Sequence, residues 1–406
     1  MTVPTDYPNI VSLYIVVQTG SRNEIEPGKS GFAHLFEHMM FRGTNRFSPE
    51  QYDKILKEAG SDHNAYTTDD YTAYHTTFSK EDLDTVLDLE ADRFQNLKYP
   101  EETFKTETRA VLGEYNKNSA NPIAKIFEVL RDTAFTAHTY KHTTMGFLRD
   151  VENMPNMYDY SIEFFRRYYR PEYTTIILAG DIKTQEALST VRKHWGDWQP
   201  GNYRAVIPTE PEQDAPRSAQ IDWPTPTLPW IAVGYHGPAY SDRNKESATM
   251  DIIASLAFSE SSPLYQRLVI KEQKIDLLAP DFESHVDPYL LTVLSRVKDP
   301  KDLDYVRDEI IKTFESLKND LPSEARLNAV KSNLRYSFAL RLDNSEAIAE
   351  NLAPFIALAK TPATINRLYS LYDLVTPQDI REFAQKYFVQ NHQTAVILRS
   401  KESAGE

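Results

Sequence analysis

The sequence predicts a duplicated α/β unit of about 200 residues, giving two related domains in one chain. Three internal matches predict it. Residues 14–20 (YIVVQTG) have a counterpart in residues 231–237 (IAVGYHG), an offset of 217. At the same offset residues 33–41 (AHLFEHMMF) align with residues 250–258 (MDIIASLAF). Near the end of each copy, residues 168–178 (YYRPEYTTIIL) match residues 387–397 (YFVQNHQTAVI) at an offset of 219. Three matches at nearly one offset imply duplication rather than chance.

Within the first copy, residues 11–19 (VSLYIVVQT) are rich in β-branched side chains and end at Gly20-Ser21, which reads as a strand and turn. An apolar helix follows over 30–42, then an amphipathic helix over 49–59 that stops at Gly60. Residues 64–78, heavy in Thr and Tyr, read as one or two strands, and 80–96 and 101–118 as helices by period and charge pattern. A buried strand over 174–179 closes at Gly180-Asp181 and leads into a helix over 184–195. Between about 200 and 228 periodicity collapses, and six of the 24 prolines fall there. The expected division is therefore a first domain over 1–205, a linker over 206–228 and a second domain over 229–406.

Composition narrows the chemistry. The 406 residues carry a formal net charge of −14, which argues against nucleic acid as the main partner. No window approaches the roughly 20 apolar residues of a membrane span. Cysteine is absent, so disulfide scaffolds, thiolate-bound zinc, thiol nucleophiles and iron–sulfur clusters are excluded. Residues 1–10 have neither a basic stretch nor an apolar core, and so do not read as a signal peptide.

Chemistry concentrates in His34-Leu35-Phe36-Glu37-His38. On a helix turning about 100° per residue, the two imidazoles lie one turn apart and Glu37 stands beside them, all within an arc of about 100°. Two neutral imidazoles with a carboxylate form a common catalytic zinc donor set that leaves a position for water. Glu37 is then the candidate base. The competing reading is a half-buried helix with incidental polar positions, and a third ligand decides between them. On the helix over 101–118, Glu107 and Glu114 are seven residues apart and within about 20° of each other. That face could deliver one carboxylate to a metal and another to a histidine N–H, or simply be a solvated acidic surface. His63 and His75 are read as surface or packing residues, and His138 and His142, spaced i,i+4 but without a nearby carboxylate partner in a helical frame, are not read as a metal pair. At the offset of 217, His34, Glu37 and His38 map to Asp251, Ala254 and Ser255, so the motif belongs to the first copy alone.

His34-x-x-Glu37-His38 followed by Glu114, 114 − 38 = 76 residues beyond the second histidine, resembles the signature of the M16 (pitrilysin-like, inverzincin) metallopeptidases. These include the mitochondrial processing peptidase and insulin-degrading enzyme. Gly20-Ser21, Gly31-x-Ala33, Phe41-x-Gly43-Thr44, Asn64-Ala65-x-Thr67 and the block ending in Gly180-Asp181 agree with it, and the resemblance covers nearly the whole chain. It implies an α+β fold: two homologous domains, each a mostly antiparallel sheet with helices packed on one face. It also implies one Zn2+ per chain held by His34, His38 and Glu114, with Glu37 as general base and Glu107 orienting a ligand histidine. The implied activity is zinc-dependent endopeptidase action on unfolded peptides or oligopeptides. Asn64, Ala65 and Thr67 resemble the strand that takes up substrate through main-chain hydrogen bonds.

Two departures from the family pattern matter. M16 peptidases use an Arg and a Tyr from the second half, near a stretch resembling L-R-x-K-E-Q-x-G-Y. Aligning on Lys271-Glu272-Gln273 puts Val269 at the Arg position and Asp276 at the Tyr position. The expected consequence is a short M16B-type subunit that works as a heterodimer with a paralogous chain supplying Arg and Tyr. A catalytically silent M16-fold scaffold is the alternative. The second departure is the start: family members open with a strand of the form N-G-L-x-V, and here Met1-Thr2-Val3-Pro4 joins at its end. The start therefore reads as truncated, and the expected location stays open, with the bacterial periplasm favoured slightly over the cytoplasm.

Overall fold

The computed structural model describes residues 1–401. Its strands form two five-stranded sheets of identical connectivity. The first comprises β1 (Thr2–Pro4), β2 (Ile10–Val17), β3 (Asp62–Thr67), β4 (Thr72–Ser79) and β5 (Thr174–Gly180), in the order β1-β5-β2-β4-β3. The second comprises β6 (Arg217–Trp223), β7 (Trp230–His236), β8 (Ile275–Asp281), β9 (Leu290–Val297) and β10 (Gln393–Ser400), in the order β6-β10-β7-β9-β8. Adding five to each strand number converts one order into the other, so the internal repeat is a repeat of topology. In both sheets the first pairing is parallel and the other three are antiparallel, giving mixed but mostly antiparallel sheets. Arg217–Trp223, within the proline-rich stretch, is one of these strands. It pairs in parallel with β10 over seven residues, a long-range contact that local periodicity does not announce.

Two compact units carry the sheets. One gathers Met1–Asn118, His138–Pro208 and Ala339–Pro362, and the other gathers Ser119–Ala137, Thr209–Phe338 and the chain from Ala363 onward. Each unit thus borrows a segment from the opposite half of the sequence. In the first, the Ser345–Ala359 helix packs on β2 and β5, where Ala349, Ala353 and Ile356 meet Tyr14, Val16 and Ile177. In the second, the helix α5 (Pro122–Ala134) packs on β6, β7 and β10.

The remaining helices of the first unit that matter here are α1 (Phe32–Met39), α2 (Pro49–Glu58), α3 (Leu83–Asn96) and α4 (Glu101–Ser119). They cover the sheet face opposite the Ser345–Ala359 helix, around a core that includes Leu13, Phe32, Leu35, Phe36, Phe94 and Phe164. Burying a side chain such as Phe36 completely contributes about 1.5–3 kcal/mol. Among the described residues no helix is long and apolar enough to cross a membrane.

Candidate metal centre

Helix α1 has only eight residues, too few to persist alone, so tertiary contacts hold it. Phe32, Leu35, Phe36 and Met39 are buried and anchor one side against β3, β4 and the Tyr158–Tyr168 helix. The start of α1 lacks a side-chain cap, because Gly31 precedes it in the left-handed region at φ 92°. Glu24 supplies what is missing: its buried carboxylate accepts the backbone N–H groups of Gly31 and Ala33, each at 2.7 Å. Burial raises the Glu24 pKa well above the usual range, against the pull of these two bonds. A carboxylate here satisfies orphan donors at the end of the helix where negative charge is favoured.

The other side of α1 presents His34, Glu37 and His38. Glu114, from the C-terminal half of α4, reaches the same point. His34 Nε2 lies 3.5 Å and His38 Nε2 3.6 Å from Glu114 Oε2. One ligand atom from each of the three residues falls within 4.8 Å of the others. A tetrahedral ion with bonds of about 2.0–2.1 Å separates its donor atoms by about 3.3 Å, and the two histidine–Glu114 distances are close to that value. Two histidines and a carboxylate are also the nitrogen and oxygen donors zinc accepts. Burial, with help from His38, pushes the His34 pKa down to about 4, which keeps that imidazole neutral and able to bind a cation.

Around this triad the structure distributes supporting charges. Glu107 Oε2 lies 3.7 Å from His38 Nδ1, and Glu107 Oε1 is ion-paired with Arg42 Nε at 2.9 Å. Glu107 raises the pKa of His38 more than burial lowers it. Burial works to raise the pKa of Glu107 itself, but His38 and Arg42 outweigh it and leave the group below its ordinary value. The sequence reading missed Arg42. Arg42 lies just beyond the end of α1, so helical spacing does not mark it.

Glu37 is half-buried, and its Oε2 accepts the Thr67 hydroxyl at 2.6 Å. Burial raises its pKa, opposed by Thr67 and His38. The strand β3 that carries Thr67 is the edge of its sheet, paired only with β4. Alternation along β3 divides the residues grouped by the sequence motif. Ala65 is buried and Thr67 turns toward α1, whereas Asn64 is exposed on the opposite side and its side chain folds back onto the Ala65 N–H at 2.9 Å.

The other histidines stand elsewhere. His63 sits beside Phe41 and Tyr52, and His75 stacks on Tyr14 and lies 3.8 Å from Glu346. His138 Nδ1 accepts the Tyr140 N–H, and His142 Nδ1 lies 3.6 Å from Glu24. In the second unit, Asp276 pairs with Arg296 on the edge strand β8, with an oxygen–nitrogen distance of 2.8 Å.

Comparison with known proteins places the chain in a family. Residues 2–147 match the family described as Insulinase (Peptidase family M16), and residues 158–334 match that described as Peptidase M16 inactive domain. The chain is 28% identical to the zinc protease PqqE of Helicobacter pylori, covering 96% of this chain and 88% of that protein. It is 23% identical to a probable mitochondrial-processing peptidase subunit beta of Arabidopsis thaliana, over 91% of this chain and 71% of the relative. Among solved structures, a protease from Helicobacter pylori superposes with a TM-score of 0.90 at 26% identity, covering 98% of this chain and 96% of that one. The first half of the periplasmic protease PqqL from Escherichia coli has the same fold, with a TM-score of 0.77 at 20% identity over 99% and 90% of the two chains. The chain belongs to the M16 peptidase family, whose zinc protease members it resembles over nearly its full length.

Proposed function

We propose that this chain is a zinc-dependent endopeptidase of the M16B type, acting on unfolded peptides, and that it contributes the metal-bearing part of a heterodimer. The convergence of His34, His38 and Glu114 on one point carries the reading. These three residues hold the zinc ion, and Glu107 keeps the His38 ring oriented through its Nδ1 side. A zinc ion held there would supply Lewis acidity, lowering the pKa of water at the site toward about 7.

The protein's own residues do the rest. Thr67 occupies Glu37 Oε2 and so leaves Oε1 to take the proton of the attacking water. Burial raises the Glu37 pKa, which makes its carboxylate the stronger base toward that water. An extended peptide pairs with the open edge of β3, whose main chain recognises any sequence, while Asn64, Ala65 and Thr67 line its path. Unfolded substrates suit such an edge because only an extended chain can add to it.

The heterodimer rests on Val269 and Asp276, which stand where the family places Arg and Tyr, and on the engagement of Asp276 with Arg296. Losing a group that stabilises a developing oxyanion costs about 10²–10³ in rate. Relatives named as processing-peptidase subunits support a partner chain, and the likeness to the periplasmic protease PqqL supports an extracytoplasmic setting. The test is to measure zinc content and peptide hydrolysis for the chain alone and mixed with a paralogous M16 chain that has Arg and Tyr. Zinc at one per chain with hydrolysis only in the mixture is expected. Full activity alone would overturn the heterodimer. Absence of zinc and of activity in both preparations would leave the silent scaffold instead.

A further inference from the structure

The first unit contains a cavity of about 420 Å³ that lies outside the metal centre, framed by the end of α3, the turn after it, the Tyr158–Tyr168 helix and Trp198. Its wall is aromatic. Phe94 and Tyr169 are fully buried, Phe165 stacks on Tyr169 with ring centroids 5.2 Å apart, and Trp198 stands edge-on to Phe94 at 6.2 Å. That volume and lining suit one aromatic or branched apolar group.

The polar side chains around the cavity divide into those already engaged and those left over. Tyr169 is bonded to the Tyr74 hydroxyl at 2.6 Å, Tyr99 to the Ser161 hydroxyl at 2.9 Å, and Tyr158 donates to the Tyr99 carbonyl at 3.0 Å. Gln95 uses its amide N–H on the His194 carbonyl at 3.1 Å. What remains is cationic: Lys98, Arg166 and Arg170. No carboxylate partners any of them among the described residues, and no acidic residue lines the cavity. Arg170 donates its Nε–H to the Arg166 carbonyl at 2.6 Å, which fixes its stem and leaves the outer guanidinium N–H groups available. In a chain of net charge −14, where acidic groups outnumber basic ones, three such cations beside one aromatic cavity define a charge preference.

We propose that this cavity binds a carboxylate carried on an aromatic or bulky apolar group, with the ring in the cavity and the carboxylate on Arg166 and Arg170. A guanidinium pair recognises a planar carboxylate through paired N–H bonds, and the aromatic wall supplies the apolar contact. Two sources share this chemistry: a free aromatic acid, and the C-terminus of a peptide ending in an aromatic residue. The inference is independent of the metal centre and of the proposed peptidase reading.

The experiment is isothermal titration calorimetry on the full chain with N-acetyl-phenylalanine, its primary amide, and a tetrapeptide ending in phenylalanine with a free C-terminus. Saturable binding of the acid is expected, with the amide at least about tenfold weaker. The tetrapeptide binding as well as the acid identifies a peptide C-terminus, and a much weaker tetrapeptide identifies the free acid. Replacing both arginines (R166Q with R170Q) is expected to weaken the acid at least about tenfold without changing zinc content. Ile162→Trp, which fills the cavity, is expected to abolish binding. Equal affinity for acid and amide, binding unchanged in the double variant, or no saturable binding of any probe would each overturn the proposal.

Discussion

Thr67 on the edge strand of the first sheet donates its hydroxyl to Glu37 on the motif helix at 2.6 Å, joining two elements thirty residues apart in the chain. The bond holds one oxygen of the candidate base and orients the other. Thr67→Val, which keeps the shape and removes the donor, is expected to lower kcat about 10–100-fold with KM little changed. Thr67→Ser is expected to restore most of it. A loss confined to KM would instead mark Thr67 as a substrate contact alone.

Glu37 and Glu114 are both carboxylates near the same point, but the proposed roles separate them. Glu37→Gln is expected to retain one zinc per chain and lose about 10²–10⁴ in kcat. Glu114→Gln and His38→Ala are expected to lose the zinc itself, as read by elemental analysis after dialysis. Retention of zinc by both of these variants would refute the ligand assignment.

Zinc affinity should depend on pH with a sign set by His38. The ion takes neutral imidazole, so protons compete with it below the pKa of each ligand histidine. His34 is neutral above about 4, and His38, raised by Glu107, is the group that competes near neutrality. Affinity measured by chelator competition is therefore expected to rise up to about tenfold per pH unit through the range below the His38 pKa, and to flatten above it. Glu107→Gln removes the main cause of that elevation and should move the bend to lower pH.

The metal-free protein should show the opposite slope on the alkaline side. His38 has a raised pKa, so its contribution to stability is complete below its ordinary value of 6.5 and is lost as pH rises through the folded value. Glu107 has a lowered pKa, so its contribution is present above its ordinary value of 4.5 and is lost as pH falls through the folded value. Thermal melts of the apoprotein are expected to place the pair's greatest stabilisation between those two pH values, and Glu107→Gln should flatten the profile.

Glu24 should matter to stability more than its place outside the motif suggests. Glu24→Ala leaves the N–H groups of Gly31 and Ala33 buried without an acceptor, at about 1–3 kcal/mol each. A fall in Tm of about 5–15 °C is expected, with weaker zinc binding as the start of α1 frays. Glu24→Gln, which keeps one carbonyl oxygen, should recover part of the loss. An unchanged Tm in Glu24→Ala would show that another group caps the helix.

Much of this site was legible before folding. Helical spacing placed His34, Glu37 and His38 on one arc, and a period of seven placed Glu107 and Glu114 on one face; both follow from geometry within a single element. Glu107 and Glu114 then take separate positions, beside His38 Nδ1 and between the two Nε2 atoms. The motif Asn64-Ala65-x-Thr67 forms one group along the chain. Its members face opposite ways because a strand alternates, so Thr67 meets Glu37 and Asn64 does not. Arg42 and Glu24 escaped notice because their partners are a carboxylate on another helix and two backbone N–H groups, neither of which leaves a periodic trace.

By itself, then, the sequence determined the duplication, the elements with strong period and the chemical content of the motif helix, since each depends on neighbours along the chain. The resemblance named Glu114, 76 positions beyond His38, as a partner of both histidines, but tertiary structure decided its distances from them, which depend on how α4 packs against α1. It also decided that the Ser345–Ala359 helix lies on the first sheet and α5 on the second. An amphipathic helix records that it has an apolar face, but which sheet covers that face is a property of the packed whole.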